Sequence, residues 1–398
     1  MMVRAAQTSV SRRPRFLLLD LLRLLAAIAV LWYHYTARNS SAWDAAAADE
    51  FGLASRFTAY GFLGVQLFFV ISGFVILLSA EGRSLGQFVS ARVSRLYPAY
   101  WAGVLLTTFL IVVVTPQFDR QITFADVLTN LTMLQTAFGV RHIDGVYWTL
   151  WIELLFYVLI ALLISVRLTE AKVLAFTFLW PVIGAIASTS ESTFLTALLS
   201  PAYASLFAGG MVLYLIHSRG HSLLRWLLLI MNVCLAVQQS VTQSFMVAVP
   251  RDTEVDPSAS IGSVLVVLIF VIVALVTITP LKHAGWSWMT YAGSLTYPLY
   301  LVHEYWGWWV ISTVDPIVGK WGAVAAAFAV SFGLAIIIER WVERPLRPRI
   351  RRALQRSFDA LPSTTHHRDD SRDLIDSRSA SVSGARATEP AETRRDVG

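Results

Sequence analysis

The sequence predicts an all-α, polytopic integral membrane protein, a bundle of about ten transmembrane helices with both termini in the cytoplasm. Hydrophobic residues make up 56% of its 398 positions and charged residues only 15%. The apolar residues form successive stretches of about twenty, the length that an α-helix needs to cross a bilayer. With the N-terminus inside, lysine and arginine are more frequent in the inner loops than in the outer ones. We therefore predict a multi-pass protein of the cell membrane.

A window of about nineteen residues divides the apolar part of the chain into ten spans. They lie near 17–35, 59–80, 98–115, 147–166, 172–189, 201–217, 225–247, 258–279, 291–313 and 320–340. The first span follows a basic stretch that mimics the start of a signal peptide. Because this span is too long, carries charge and lacks a small-residue cleavage site, we expect it to be retained.

Composition divides the chain into three parts. Residues 1–15 form a basic cytoplasmic N-terminus, 16–345 the membrane domain and 346–398 a cytoplasmic tail that is first basic and then polar. We expect the basic run to lie against anionic headgroups, and residues from about 357 onward to be disordered because they have few apolar side chains. Since the net charge of +6 comes mainly from these ends, nucleic acid is not an expected partner.

The first predicted span carries Asp20, Arg23 and His34. Eleven residues, close to three helical turns, separate Arg23 from His34, so both side chains face one side of the helix about 16 Å apart. Ionisable groups inside a membrane usually serve a function. Histidine suits proton transfer near neutral pH, and arginine suits an anion or a polarised carbonyl. Alternatively, Arg23 pairs with Asp20 and His34 lies at the membrane surface.

The fourth predicted span opens with Trp148, Glu153 and Tyr157. We expect Glu153 to lie at the depth of His34, where a carboxylate can orient the imidazole. An ion pair or a hydrogen bond to a neighbouring helix is an equally good explanation of Glu153.

The ninth predicted span contains Tyr297, Tyr300, His303 and Glu304 beside Pro298. A proline inside a membrane helix frees backbone groups and often marks a kink beside a cavity. Adjacent helical residues point about 100° apart. We therefore do not expect His303 and Glu304 to face one cavity together.

Arg92 and Arg95 precede the third predicted span on what reads as an interfacial helix, and their spacing makes them neighbours. Such a pair can bind phosphates. A positive-inside anchor explains it as well, and on spacing alone we favour the anchor. No metal-ligand spacing and no phosphate-binding loop is present, so no metal is expected.

These stretches, in this order, resemble the acyltransferase-3 family of polytopic membrane O-acyltransferases. The motifs are LDxLRxLAA with its arginine and histidine, GVxLFFVxSGF at 64–74, the paired arginines before Tyr97 and Pro98, W[ST]LxxExxFY at 148–157, SxxxYLxH ending at His303 and ErP at 343–345. The chain departs from the family pattern at Leu22 and Leu24, where glycine is common, and at Gln66, where an acid is common. No hydrolase-like domain follows the spans, so a two-domain relay is not expected.

The resemblance implies transfer of an acyl group, expected to be acetyl, from cytoplasmic acyl-coenzyme A to a hydroxyl group. Implied acceptors are a glycan, a glycolipid or a macrolide-like molecule. The histidine is expected to act as a general base or to carry the acyl group. The roles expected are catalysis by His34, Glu153 and Arg23, donor binding by Arg92, Arg95 and Arg23, and a substrate pocket formed by Asp20, Trp148, Tyr157, Tyr297, Tyr300 and His303.

Two other classes of function fit parts of the pattern. A transporter can use the same intramembrane histidine, glutamate and arginine residues as a proton relay, and it would move its substrate without consuming coenzyme A. A receptor or scaffold would act through the charged tail, so that deleting residues 357–398 would abolish its function.

Overall fold

The computed structural model describes residues 16–115, 121–189 and 192–360, and these contain helices and loops but no strand. The helices are α1 Leu17–Thr36, α2 Ala47–Phe51, α3 Leu53–Thr58, α4 Leu63–Ala80, α5 Leu85–Phe109, α6 Phe124–Leu131, α7 Trp148–Ser165, α8 Glu170–Ala187, α9 Thr193–Leu199, α10 Pro201–Arg219, α11 Leu223–Gln239, α12 Val249–Thr253, α13 Ala259–Ile278, α14 Trp288–Ile338 and α15 Arg344–Asp359. Short turns of 3₁₀ or π-helix connect several of them.

Within these described ranges, nine helical segments are long and apolar enough to cross a membrane. The prediction of a polytopic all-α membrane protein is therefore confirmed. The residues predicted as the ninth and tenth spans belong to one segment, Trp288–Asp359, which also includes α15.

Helix α14 is interrupted at Gly319, where φ is 73° and ψ is 165°. This backbone conformation favours glycine because a Cβ would be strained there. Tyr35 of α1 donates a hydrogen bond to the His303 carbonyl at 2.8 Å, and its hydroxyl is also 2.9 Å from Ser331 Oγ. A straight helix would separate positions 303 and 331 by about 42 Å. The chain therefore folds back at Gly319, and each half of α14 corresponds to one predicted span.

Helix α5 is longer than expected, because the predicted interfacial helix and the third span form one continuous helix. Its start is fixed by a capping box in which the Ser84 side chain accepts from the backbone of Gln87, while the Gln87 side chain accepts from the backbone of Ser84. Pro98 lies inside α5 without ending it. Arg92 and Arg95 thus belong to a candidate spanning helix, and their assignment to a separate surface helix is wrong.

The basic run after the last span also differs from the expectation. It forms α15, which packs against α5 so closely that a Cβ on Gly86 would lie 2.8 Å from the side chain of Phe358. The ordered part of the chain therefore extends beyond residue 345, and the basic run contacts protein. Residues 1–15 and the region after 360, which holds most of the tail predicted to be disordered, lie outside the described residues.

Helix α4 lies between α1 and α10 at the centre of the bundle. A Cβ on Gly73 would lie 2.1 Å from the Phe207 carbonyl oxygen, and one on Gly210 would lie 2.1 Å from that of Val70. These glycines therefore bring the backbones of α4 and α10 into contact, as small residues do where membrane helices cross. The crossing therefore helps to fix the position of α4 in the bundle.

Candidate active site

A cavity of about 270 Å³, here called the arginine cavity, lies among α1, α4, α5, α7, α14 and α15. The charged side chains that line it are Arg23, Arg92, Arg95, Arg347 and Glu153. Four guanidinium groups against one carboxylate give this lining a formal excess of three positive charges. Arginine is well suited to bind phosphate, so the cavity is suited to a ligand that carries several negative charges.

Glu153 is held inside the arginine cavity by neighbouring hydroxyl groups. Tyr157 donates to its Oε1 at 2.6 Å and Ser72 does so at 3.3 Å, and the Arg92 guanidinium lies over the Tyr157 ring. Among the described residues, no hydrogen bond or ion pair joins Glu153 to His34. The expectation that Glu153 orients His34 is therefore wrong in its geometry.

A second cavity of about 240 Å³, here called the histidine cavity, contains His34. It shares Val65 and Tyr300 with the arginine cavity. The Tyr300 hydroxyl accepts a hydrogen bond from Thr149 at 3.0 Å. Tyr300 therefore forms part of the wall between the two cavities, which lie next to each other along α1.

His34 is 6% exposed and is fixed by contacts with the first half of α14. The Trp308 indole donates to the His34 carbonyl at 3.0 Å, and the His303 ring packs edge-on against the His34 ring with 4.9 Å between centroids. The carboxylate nearest to His34 is Glu304, whose Oε1 lies 3.8 Å from Nδ1. His303 and Glu304 both contact His34, yet neither lines the histidine cavity.

Arg38 follows α1 and pairs with Glu304 at 2.8 Å. Burial lowers the pKa of Arg38, but the Glu304 carboxylate outweighs this effect, so the pKa lies above its ordinary value. Arg38 therefore stays charged, and it holds the Glu304 carboxyl group beside the imidazole.

The predicted substrate-pocket residues separate into two groups. Tyr157, Tyr297, Tyr300 and Trp148 line the cavities, whereas His303 and Asp20 do not. His303 is instead buried against His34. Asp20 lies 3.9 Å from Arg23, so the ion pair considered as the alternative forms on α1, although Arg23 still lines the arginine cavity.

A third cavity, of about 460 Å³, adjoins the histidine cavity and shares Trp148 and Tyr203 with it. The described residues of its lining carry hydroxyl, amide and aromatic side chains and one histidine, His142, and include no aspartate, glutamate, lysine or arginine. Unlike the arginine cavity, it is suited to an uncharged ligand that forms hydrogen bonds.

Sequence reasoning missed Arg347 and did not select Glu304. Arg347 was assigned to the tail, and its neighbour Glu343, the acid of the ErP motif, was the signal that an ordered site continued there. Where the structure describes the chain, no group of three or more histidine, cysteine, aspartate or glutamate side chains is arranged to hold a metal ion.

Known proteins resemble this chain over most of its length. The acyltransferase-3 family, described as an acyltransferase domain, matches residues 16–340. A protein of Acidianus two-tailed virus named "Putative acetyltransferase ORF330" is 23% identical over 290 residues, which is 69% of this chain and 80% of the viral protein. No solved structure matches the chain.

Proposed function

The chain belongs to the acyltransferase-3 family and is a membrane acyltransferase, and from this we propose that it transfers an acetyl group from acetyl-coenzyme A to an acceptor hydroxyl. One observation carries the proposal: a cavity lined by four arginines shares a wall with a cavity lined by a buried histidine. A polyanionic donor and a general base would thus lie on opposite sides of Tyr300.

The donor would enter the arginine cavity at Arg347, whose side chain is 46% exposed and so brings the cavity to the protein surface. Arg92, Arg95 and Arg347 would bind the phosphates of coenzyme A. A volume of about 270 Å³ is below the range of about 300–1,000 Å³ usual for whole ligands, so part of the nucleotide would remain outside against α15. The pantetheine arm would pass Arg23 toward Tyr300.

We propose that His34 is the general base. It takes the proton of the acceptor hydroxyl as the oxygen attacks the thioester carbonyl carbon. The carbon–sulfur bond then breaks, and the coenzyme A thiolate takes the proton from the imidazolium, leaving an acetyl ester and free coenzyme A. The second route is transfer through acetyl-His34, which mass spectrometry of protein incubated with donor alone would detect.

The acceptor would approach through the third cavity and reach His34 past Trp148. The hydroxyl, amide and aromatic side chains among the described residues of that lining favour an acceptor that is uncharged where it binds, such as a glycan, a glycolipid or a macrolide-like molecule. Because coenzyme A is cytoplasmic, the end of the bundle that carries Arg347 would face the cytoplasm. The protein would then lie in the cell membrane with both termini inside.

The test is release of coenzyme A from acetyl-coenzyme A by the purified protein supplied with a membrane and glycan extract. We expect His34→Ala to abolish release and Arg92→Ala or Arg95→Ala to raise the KM for the donor. His221→Ala, at the exposed N-terminal end of α11, is the matched control and should leave release unchanged. Retained turnover in His34→Ala would exclude His34 as the base, and flux of a substrate without coenzyme A release would support a transporter.

A further inference from the structure

We propose that Glu304 is the positioning residue of His34, and that Arg38 holds its carboxylate in place. This inference rests on the proposed function, because it assigns a partner to the proposed base. It replaces Glu153, which sequence reasoning had selected for this role.

The contact geometry supports this assignment. Nδ1 of His34 is buried and has no hydrogen-bond partner, and Glu304 Oε1 lies 3.8 Å away from it. A shift of about 1 Å would bring the two atoms to hydrogen-bond distance. A proton held on Nδ1 by this carboxylate leaves Nε2 as the unprotonated nitrogen. The His34 side chain lines the histidine cavity, where the acceptor hydroxyl would arrive.

Glu304 is 1% exposed, and a buried carboxylate without a cation would be costly to keep ionised. Arg38 supplies that cation at 2.8 Å. The Arg38 guanidinium also lies 5.6 Å from the centre of the Trp308 ring, whose N–H binds the His34 carbonyl. Glu304, Arg38, Trp308 and His34 therefore form a closed network of contacts. It connects the Glu304 carboxylate to the backbone of His34.

Other groups near His34 do not provide an equivalent carboxylate. Tyr33, on α1, and His303, on α14, contact the His34 ring, and neither is an acid. Across the histidine cavity, Asp252 is paired with Arg251 at 2.8 Å. In the described part of the chain, Glu304 is the carboxylate that lies within 4 Å of His34.

Gly145 leaves the space that this arrangement needs. A Cβ at this position would lie 2.6 Å from Glu304 Oε2 and 2.7 Å from Oε1. Its neighbour Asp144 accepts from the backbone of Val146 and so fixes the turn that holds Gly145 against the carboxylate. Gly145→Ala would thus displace Glu304 without altering any charge, which provides an independent test.

During the reaction, the proton taken from the acceptor would turn His34 into an imidazolium. Glu304 would stabilise that cation, which exists after proton transfer but not when the donor first binds. Loss of Glu304 should therefore lower kcat while leaving the KM for acetyl-coenzyme A nearly unchanged.

The first experiment compares Glu304→Gln and Glu304→Asp with the wild-type protein. We expect Glu304→Gln to lower kcat by about tenfold to a hundredfold, Glu304→Asp to restore part of it, and Gly145→Ala to reproduce the loss. Glu50→Gln, which removes an exposed ion pair with Lys320, is the control and should match the wild type. A raised KM for acetyl-coenzyme A with an unchanged kcat in Glu304→Gln would overturn the proposal.

The second experiment needs no turnover, so it separates this inference from the proposed function. Diethylpyrocarbonate acylates the unprotonated ring nitrogen of a neutral imidazole, and the proposed contact keeps that nitrogen at Nε2 on the cavity side by holding the ring proton on Nδ1. Peptide mass spectrometry measures the rate of this reaction at each histidine at pH 7. We expect the rate at His34 to fall severalfold in Glu304→Gln and in Gly145→Ala, with His221 unchanged as an internal reference. An unchanged rate at His34 in both variants would refute the positioning role, even if coenzyme A release is observed.

Discussion

The Tyr300 hydroxyl accepts a hydrogen bond from the Thr149 hydroxyl at 3.0 Å, which ties α14 to the start of α7 at the wall shared by the arginine and histidine cavities. The ring is buried and lines both cavities. Its position thus determines how closely the contents of the two cavities approach each other.

Removing the Tyr300 ring should open this wall. In Tyr300→Ala, water can enter the enlarged polar space, so we expect hydrolysis of acetyl-coenzyme A to increase relative to transfer. Tyr300→Phe keeps the ring and should stay close to the wild-type ratio. Comparing coenzyme A release with acetyl ester formed measures the ratio, and an unchanged ratio in Tyr300→Ala would contradict a separating role.

Arg347 should contribute to donor binding although it follows the last span. A hydrogen bond to a charged group is worth about 1.5–3 kcal/mol, so Arg347→Ala should raise the KM for acetyl-coenzyme A by roughly tenfold to a hundredfold. Arg349 is exposed on the same helix and does not line the cavity, so Arg349→Ala is the matched control. Equal KM values in the two variants would indicate that α15 contributes only general positive charge.

Truncation should separate the ordered α15 from the residues beyond it. A chain that ends at Ala360 keeps Arg347 and the contact between Phe358 and Gly86, so we expect its rate of coenzyme A release to match that of the full chain. A chain that ends at Glu343 should lose donor binding. Loss of function in the chain that ends at Ala360 would instead support a role for the tail as a receptor or scaffold.

The crossing of α4 and α10 should not tolerate a methyl group. Gly73→Ala places a Cβ against the Phe207 carbonyl, and overpacking of this kind costs about 1–3 kcal/mol. We expect a lower midpoint of thermal unfolding in detergent. A Cβ on Gly333 of α14 would meet no atom within 4 Å, so Gly333→Ala is the control. Similar midpoints would indicate that the helices can separate without cost.

The sequence was sufficient to predict the fold class and most of the arginine cavity, because span length and motif order depend on local patterns. The sequence also grouped Arg23 with Arg92, and the two side chains line the same cavity. Depth was harder to predict. Glu153 lies in the second turn of α7, which begins at Trp148. Because the sequence does not give the tilt of α7, it could not decide whether Glu153 lies at the depth of His34 or at that of Arg23.

Glu304 was harder to identify for a related reason. His303 and Glu304 point about 100° apart, and neither side chain lines any of the three cavities. Both nevertheless contact His34, one at the ring face and one at Nδ1. A helical projection shows which residues share a face of one helix. It does not show that a residue of another helix, here His34, contacts two adjacent faces, because this depends on how the helices pack.

The reversal of the chain at Gly319 has a consequence for biosynthesis. Ribosomes deliver Arg23, Arg92 and Arg95 to the membrane early, but Arg347 joins them only after the second half of α14 has returned across the bundle. Until then, the nascent chain carries three mutually repelling arginines of this cavity without the fourth. With the four arginines binding the donor as proposed, chains that stop before Arg347 should not consume acetyl-coenzyme A.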